Sequence, residues 1–156
     1  MKTLLIDAGN SHLKWAWLTR QGMIQDAATA AYDASTTQVL DAAWLDMLPP
    51  QRVLVASVVP RFTTELTRWL AERWGCPVEC VQSQAQGFGV TSGYQQPATL
   101  GVDRWLAMIA ARDYGEEVCI YDCGTALTID VLIQGRHQGG LIFPGSRLLQ
   151  RSLWQG

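Results

Sequence analysis

Two short segments bring an aspartate, a glycine and a hydroxyl side chain close together: Asp7-Ala8-Gly9-Asn10-Ser11 and Asp122-Cys123-Gly124-Thr125. Glycine lets backbone N–H groups approach phosphate oxygens, and Ser or Thr adds a further donor. The aspartate supplies a carboxylate for a cation. One Asp-x-Gly turn alone is ordinary; two of them, each between apolar runs, favour phosphate binding. Lys14 lies three residues beyond Ser11, where its ammonium could reach a phosphate as a point charge. It serves equally well as a solvated lysine on a strand whose other residues are Leu13, Trp15 and Trp17.

A different chemistry is offered by Leu100-Gly101-Val102-Asp103-Arg104, at the junction of a long polar stretch and an apolar-periodic one. Aspartate can accept a hydroxyl proton, and arginine can grip a carboxylate or phosphate with a two-pronged fork. An aspartate at a helix start also simply stabilises the helix dipole. Tyr94 and Pro97, just upstream, fit either loop punctuation or the wall of a substrate pocket. Gly139-Gly140-Leu141-Ile142-Phe143-Pro144-Gly145 reads as a tight strand end or a contact with a second subunit. His12 and His137 have no ligand-like partners at useful spacing and are expected on the surface or in turns. Cys76, Cys80, Cys119 and Cys123 form two CxxxC pairs without a histidine cluster, so reduced structural thiols are expected rather than a zinc site.

These residues need elements to hold them. Thr3–Ala8 and His12–Leu18 form a hairpin across Gly9-Asn10, and a third strand runs from Met23 to about Ala31. Residues 36–48 carry Val39, Leu40, Ala43, Trp44, Met47 and Leu48 at helical spacing, ending before Pro49-Pro50. The run from Val53 to Val59 is hydrophobic enough for a buried strand of an α/β sheet. Pro60 opens a helix to about Trp74. Ser83 to Thr99 has no period and reads as a long loop, which in a compact domain is usually functional. A helix follows from Leu100 to Tyr114, then strands Val118–Cys123, Leu127–Ile133 and Gln138–Phe143. A final helix starts at Pro144-Gly145 and stops at Gly156. The repeated strand, Asp-x-Gly turn, strand pattern suggests two related domains facing each other.

The 156 residues are 48% hydrophobic and 17% charged, enough apolar material for a core and inconsistent with disorder. A formal net charge of −2 without any Lys/Arg run gives no footprint for nucleic acid or an anionic membrane. The seven tryptophans are therefore core fillers rather than base-stacking platforms. The N-terminal apolar run is too short for a secretory signal, and nothing later approaches the roughly 20 apolar residues of a membrane span. The expected location is the cytoplasm.

Together these segments resemble type III pantothenate kinase, a family of the acetate and sugar kinase/Hsp70/actin superfamily that includes the Bvg accessory factor proteins. Asp7 to Lys14 is similar to the family's first phosphate motif and Asp122 to Thr128 to its second. Tyr94-x-x-Pro97-x-x-Leu100-Gly101-x-Asp103-Arg104 looks like its pantothenate motif, and Gly139-Gly140-x-Ile142-x-Pro144-Gly145 like its dimer-interface motif. Four motifs in this order are specific; any single one is not. The resemblance implies an α/β, ribonuclease H-like fold with a mixed sheet and helices on both faces. It implies a first domain over residues 1–115 and a partial second domain over 116–156.

The implied activity is transfer of the ATP γ-phosphate to the primary hydroxyl of pantothenate, the first step of coenzyme A synthesis. By the same resemblance Asp103 accepts the hydroxyl proton, and Tyr94, Gly101, Val102, Asp103 and Arg104 contact pantothenate. Asp7, Ala8, Gly9, Asn10, Ser11, His12, Leu13, Lys14 and Thr125 hold ATP. Asp122 binds a monovalent cation, potassium or ammonium, and magnesium accompanies ATP near Asp7. A homodimer through Gly139 to Gly145 is also implied. The alternatives are a non-catalytic nucleotide-binding or regulatory module of the same fold, or another kinase or phosphatase of the superfamily. Asp103 favours the enzyme, because a pure binding module needs no base.

Overall fold

The computed structural model describes residues 2–32 and 35–154, the side chains of 147 and 151–153 excepted. The chain forms two compact units that divide between Val81 and Gln82.

In the first unit, β1 (Thr3–Ala8), β2 (His12–Leu18) and β3 (Ile24–Ala31) form an antiparallel meander. Next come α1 (Thr36–Trp44), β4 (Arg52–Ser57), α2 (Pro60–Arg73) and β5 (Val78–Cys80). The sheet order is β3-β2-β1-β4-β5. β4 runs parallel to β1, with Asp7 opposite Ala56, so the sheet is mixed. Alternation along β1 and β4 puts Leu4, Ile6, Val53 and Val55 on the buried face, where they meet Leu40, Trp44, Leu66 and Leu70 in one core. Each such leucine or valine contributes about 1.5–3 kcal/mol by leaving water. Trp44 lies among Trp15, Trp69 and Trp74 with ring centroids 5.5–5.9 Å away, which makes these tryptophans core residues, as expected.

Helix α1 begins with a capping box: Gln38 N–H donates to Ser35 Oγ, and Ser35 N–H donates to Gln38 Oε1. It ends at Trp44 rather than near Leu48. Leu45 and Leu48 are exposed, so a further turn would bury nothing, and the residue before a proline is pushed toward extended backbone. β5 was not expected: it is only three residues long, too short to show a period, and is fixed by pairing with Val53 to Val55.

In the second unit the polar stretch 83–99 contains two-residue strands, β6 (Gln86–Gly87) and β7 (Val90–Thr91), and a 3-10 turn at Pro97–Thr99. Phe88 and Gly89 close the β6–β7 hairpin, both with positive φ, the tight turn that suits right-handed strand twist. Helix α3 (Val102–Ala111) continues as a 3-10 turn to Tyr114. Then come β8 (Glu117–Cys123), β9 (Ala126–Ile133), β10 (Arg136–Pro144) and α4 (Ser146–Trp154). The expected end of the last helix at Gly156 lies outside the described residues. The sheet order is β6-β7-β10-β9-β8, also mixed. Val90, Leu100, Trp105, Met108 and Leu132 form the core.

The division at Val81/Gln82 differs from the boundary at 115 expected from sequence. Thr91 pairs with Arg136 of β10, and α3 packs on β8 and β9, which ties residues 82–114 to the second sheet. Both units contain a three-stranded antiparallel meander followed by a helix, β1-β2-β3-α1 and β8-β9-β10-α4, so the repeat seen in the sequence is also structural.

Candidate functional site

The first Asp-x-Gly turn joins β1 to β2. Gly9 N–H donates to the His12 carbonyl at 3.1 Å. Asp7 is the direct cross-strand partner of Lys14, and Lys14 Nζ lies 3.2 Å from Asp7 Oδ2 with both side chains well exposed. An exposed pair of this kind is worth about 0–1 kcal/mol, so Lys14 can exchange its partner for another anion at little cost. Beneath the turn, Tyr32 N–H donates to the Ser11 carbonyl at 3.2 Å. The Tyr32 hydroxyl is buried without a hydrogen-bond partner among the described residues. Burial, and then the Asp7 carboxylate, push its pKa up to about 12.

The second turn, one residue shorter, joins β8 to β9. Gly124 N–H donates to the Ala126 carbonyl at 2.9 Å, and Gly145 N–H donates to the Thr125 carbonyl at 3.0 Å. Asp122 is exposed and stands opposite Thr128. A Cβ on Gly145 would press into the carbonyls of Gly124 and Thr125, so the glycine after Pro144 lets the start of α4 close on this turn.

The pantothenate-like motif resolves into a buried polar cluster. Arg104, in the first turn of α3, donates from Nε to Asp130 Oδ2 at 2.9 Å and from Nη2 to Asp130 Oδ1 at 2.6 Å. Its Nη1 donates to the Tyr94 hydroxyl at 2.9 Å. His137 Nε2 lies 2.8 Å from Asp130 Oδ1, and its ring stacks on Tyr94, 5.9 Å away and 9° from parallel. The side chains of Arg104 and Asp130 are 5% and 2% exposed. Charge can remain at such depth only because the fork and the carboxylate satisfy each other. The hydrogen bonds to Asp130 hold the guanidinium even further above its ordinary range. Asp103, half-buried next to Arg104, accepts the Arg104 N–H at 2.8 Å. Gly101 caps the helix without a side-chain acceptor, so Asp103 satisfies a first-turn N–H and gains from the helix dipole.

The structure thus brings Tyr94, Asp103 and Arg104 into one arrangement with two residues that sequence reasoning missed. His137 is not a surface or turn histidine as expected: it is buried against Asp130 and Tyr94. Its partner lies across the β9–β10 hairpin, which spacing alone does not reveal. Asp130 was readable only as the single charge inside the apolar strand Ala126–Ile133. Gly140 is its cross-strand partner, and a Cβ there would collide with Asp130 Oδ1 and Arg104 Nη2. That glycine therefore leaves room for the fork. The four cysteines are free; Cys80, Cys119 and Cys123 are exposed, and partial burial pushes the Cys76 and Cys80 thiols up.

The chain matches the family model of type III pantothenate kinase over residues 3–156. It belongs to that family. A type III pantothenate kinase of Halorhodospira halophila is 44% identical, over 98% of this chain and 63% of that protein. One from Nitrosococcus oceani is 38% identical, over 96% and 59%. The chain therefore spans about three fifths of the length of these relatives. Among solved structures, a Campylobacter jejuni protein assigned to the Baf family of transcriptional activators superposes with a TM-score of 0.61 at 22% identity, covering 97% of this chain and 59% of that one. A Sinorhizobium meliloti protein assigned as a 2-dehydro-3-deoxygalactonokinase gives a TM-score of 0.63 at 16% identity, covering 99% and 57%. These likenesses concern the fold, which is a partial acetate and sugar kinase/Hsp70/actin fold.

Among the described residues, no three His, Cys, Asp or Glu side chains converge to hold a metal. Magnesium does not require such a cage, because it commonly takes one or two carboxylates and completes its shell with water and phosphate. The exposed carboxylate of Asp7 fits that mode. No described helix is long and apolar enough to cross a membrane.

Proposed function

We propose that this chain is the pantothenate-recognising and phosphate-binding part of a kinase that transfers the ATP γ-phosphate to pantothenate in coenzyme A synthesis, in the cytoplasm. The observation carrying this reading is the buried anchoring of Arg104 and Tyr94 beside Asp103, in a chain of the pantothenate kinase family. Phosphoryl transfer needs positioning and charge neutralisation more than covalent chemistry.

Tyr94 and Gly101 to Arg104 hold pantothenate with its primary hydroxyl at Asp103. The hydroxyl oxygen bonds to the γ-phosphorus, the bond to the β–γ bridging oxygen breaks, and ADP leaves. The hydroxyl proton passes to the Asp103 carboxylate, a transfer that can lag behind the loose transition state. The backbone from Asp7 to Leu13, Lys14 and Thr125 hold ATP; Lys14 swings from Asp7 to the phosphates. Magnesium held near Asp7, and potassium or ammonium near Asp122, supply countercharge to the phosphates. Two chains pair through Gly139 to Gly145, a reading supported by exposed Leu141, Ile142 and Phe143 in that strand.

The test is ATP consumption with and without pantothenate, in potassium, on this chain and on a chain of the relatives' full length. Pantothenate-dependent turnover is expected in the longer chain, and its absence there rejects the reading in favour of a non-catalytic module. Asp103→Asn should abolish turnover while leaving nucleotide binding in place.

A further inference from the structure

We propose that Asp130 and His137 are positioning residues for pantothenate recognition, clamping Arg104 and Tyr94 into one rigid unit; the kinetic part of this inference rests on the proposed function. Four side chains from four places in the chain close a ring. Asp130 on β9 grips Arg104 on α3 through both carboxylate oxygens. Arg104 reaches the Tyr94 hydroxyl in the preceding loop. Tyr94 stacks on His137 of β10, and His137 returns to Asp130.

The donor inventory defines what the ring leaves over. Arginine has five N–H donors, and three are engaged here, on Nε, Nη1 and Nη2. Among the described residues, one N–H on each terminal nitrogen is left to donate to a carboxylate or another polar oxygen. Asp130 thereby fixes the direction in which Arg104 presents its free edge. An ionised Asp130 has only acceptors, so the ring nitrogen facing it is assigned the hydrogen, and His137 is held as the Nε2–H tautomer. Its Nδ1 is buried without a partner among the described residues. The Asp130 carboxylate and the Tyr94 ring fix the position of the imidazole.

Stability alone does not call for this arrangement. A buried ion pair is commonly no better than apolar residues of the same volume, and β9 carries no other charge. What the ions provide is direction. Asp103 immediately precedes Arg104 and accepts its N–H at 2.8 Å, so a guanidinium that loses its anchor also loosens the first turn that carries the base.

The test uses a chain of the relatives' full length and two independent readouts. In Asp130→Asn, kcat/KM for pantothenate should fall about 100-fold, the scale of an ångström-level misplacement, with KM for ATP unchanged. His137→Leu should lose about tenfold, the scale of one hydrogen bond, and His137→Gln, which keeps an N–H near the Nε2 position, should recover most of that loss. A purely structural role predicts instead a lower melting temperature with wild-type kinetic constants for the folded fraction, and that result overturns the proposal.

The second readout needs no activity. The Arg104 Nε–H should give a separate NMR signal protected from solvent exchange in the wild type, and lose that protection in Asp130→Asn. Exchange in the wild type as fast as that of exposed Arg20 or Arg136 overturns the clamp. If the wild type shows the protected signal but no pantothenate-dependent turnover, the proposed reaction fails together with the kinetic claim, and the clamp stands as a structural finding.

Discussion

Removing one member of the buried ion pair should cost far more than removing both. In Asp130→Ala, the Arg104 guanidinium keeps the Tyr94 hydroxyl but loses both carboxylate oxygens, at 2.6 and 2.9 Å, while its side chain is only 5% exposed. An uncompensated buried charge of this kind costs about 3–5 kcal/mol, a large share of the roughly 5–15 kcal/mol that stabilises a domain. Arg104→Met should cost a similar amount by stranding Asp130. In the double variant Arg104→Met/Asp130→Leu no buried charge is left. The remaining penalties are the unpaired His137 Nε2–H, about 1–3 kcal/mol, and the loss of the Arg104 donor to the part-buried Tyr94 hydroxyl. The double variant should therefore be more stable than either single one, although it changes more atoms. Guanidinium unfolding followed by fluorine NMR of 5-fluorotryptophan separates the second unit, through Trp105, from the first, through Trp44 and Trp69. A double variant destabilised by the sum of the two singles would refute the reasoning, because the two charges would then not be compensating each other.

Tyr32→Phe removes a buried hydroxyl that has no partner among the described residues and should stabilise the first unit by about 1 kcal/mol, read from the urea midpoint. The native pKa of Tyr32, about 12, exceeds the ordinary value of 10, so its neutral form contributes stability that is present below about pH 10 and lost as pH rises through about 12. At about 1.4 kcal/mol per unit the upper limit of that loss is about 2–3 kcal/mol, reduced by solvent screening of the half-buried ring, and alkaline titration of Tyr32→Phe should lack it. Gly140→Ala should push a methyl group into Asp130 and Arg104, lowering stability by about 1–3 kcal/mol and weakening pantothenate binding while sparing ATP. Ser35→Ala removes the α1 capping box and should cost about 1 kcal/mol by thermal unfolding, without a change in substrate affinity.

The parts of the fold governed by local rules were legible in the sequence. The two Asp-x-Gly turns between strands, the start of the helix at Thr36 and the Pro60 helix follow from alternation, helical spacing and proline placement. β5 escaped because three residues carry no period and it exists only by pairing with β4. The candidate site was half legible. Tyr94, Asp103 and Arg104 stand within one motif, but the residues that hold them are on β9 and β10, 26 positions or more beyond Arg104. A carboxylate in an apolar strand announces a buried partner without naming it. His137 read as a surface or turn residue because no ligand-like partner stands at useful spacing, whereas β-sheet register sends it inward. Gly140 read as a strand end or an interface, and its cause is the fork it faces across the hairpin.

The most direct test of the account is pantothenate-dependent ATP turnover in a chain of the relatives' full length, measured in potassium for the wild type and Asp103→Asn side by side. The account predicts turnover in the wild type, none in Asp103→Asn, and similar nucleotide affinity in both. Equal turnover in the two proteins, or ATP consumption indifferent to pantothenate, would contradict it.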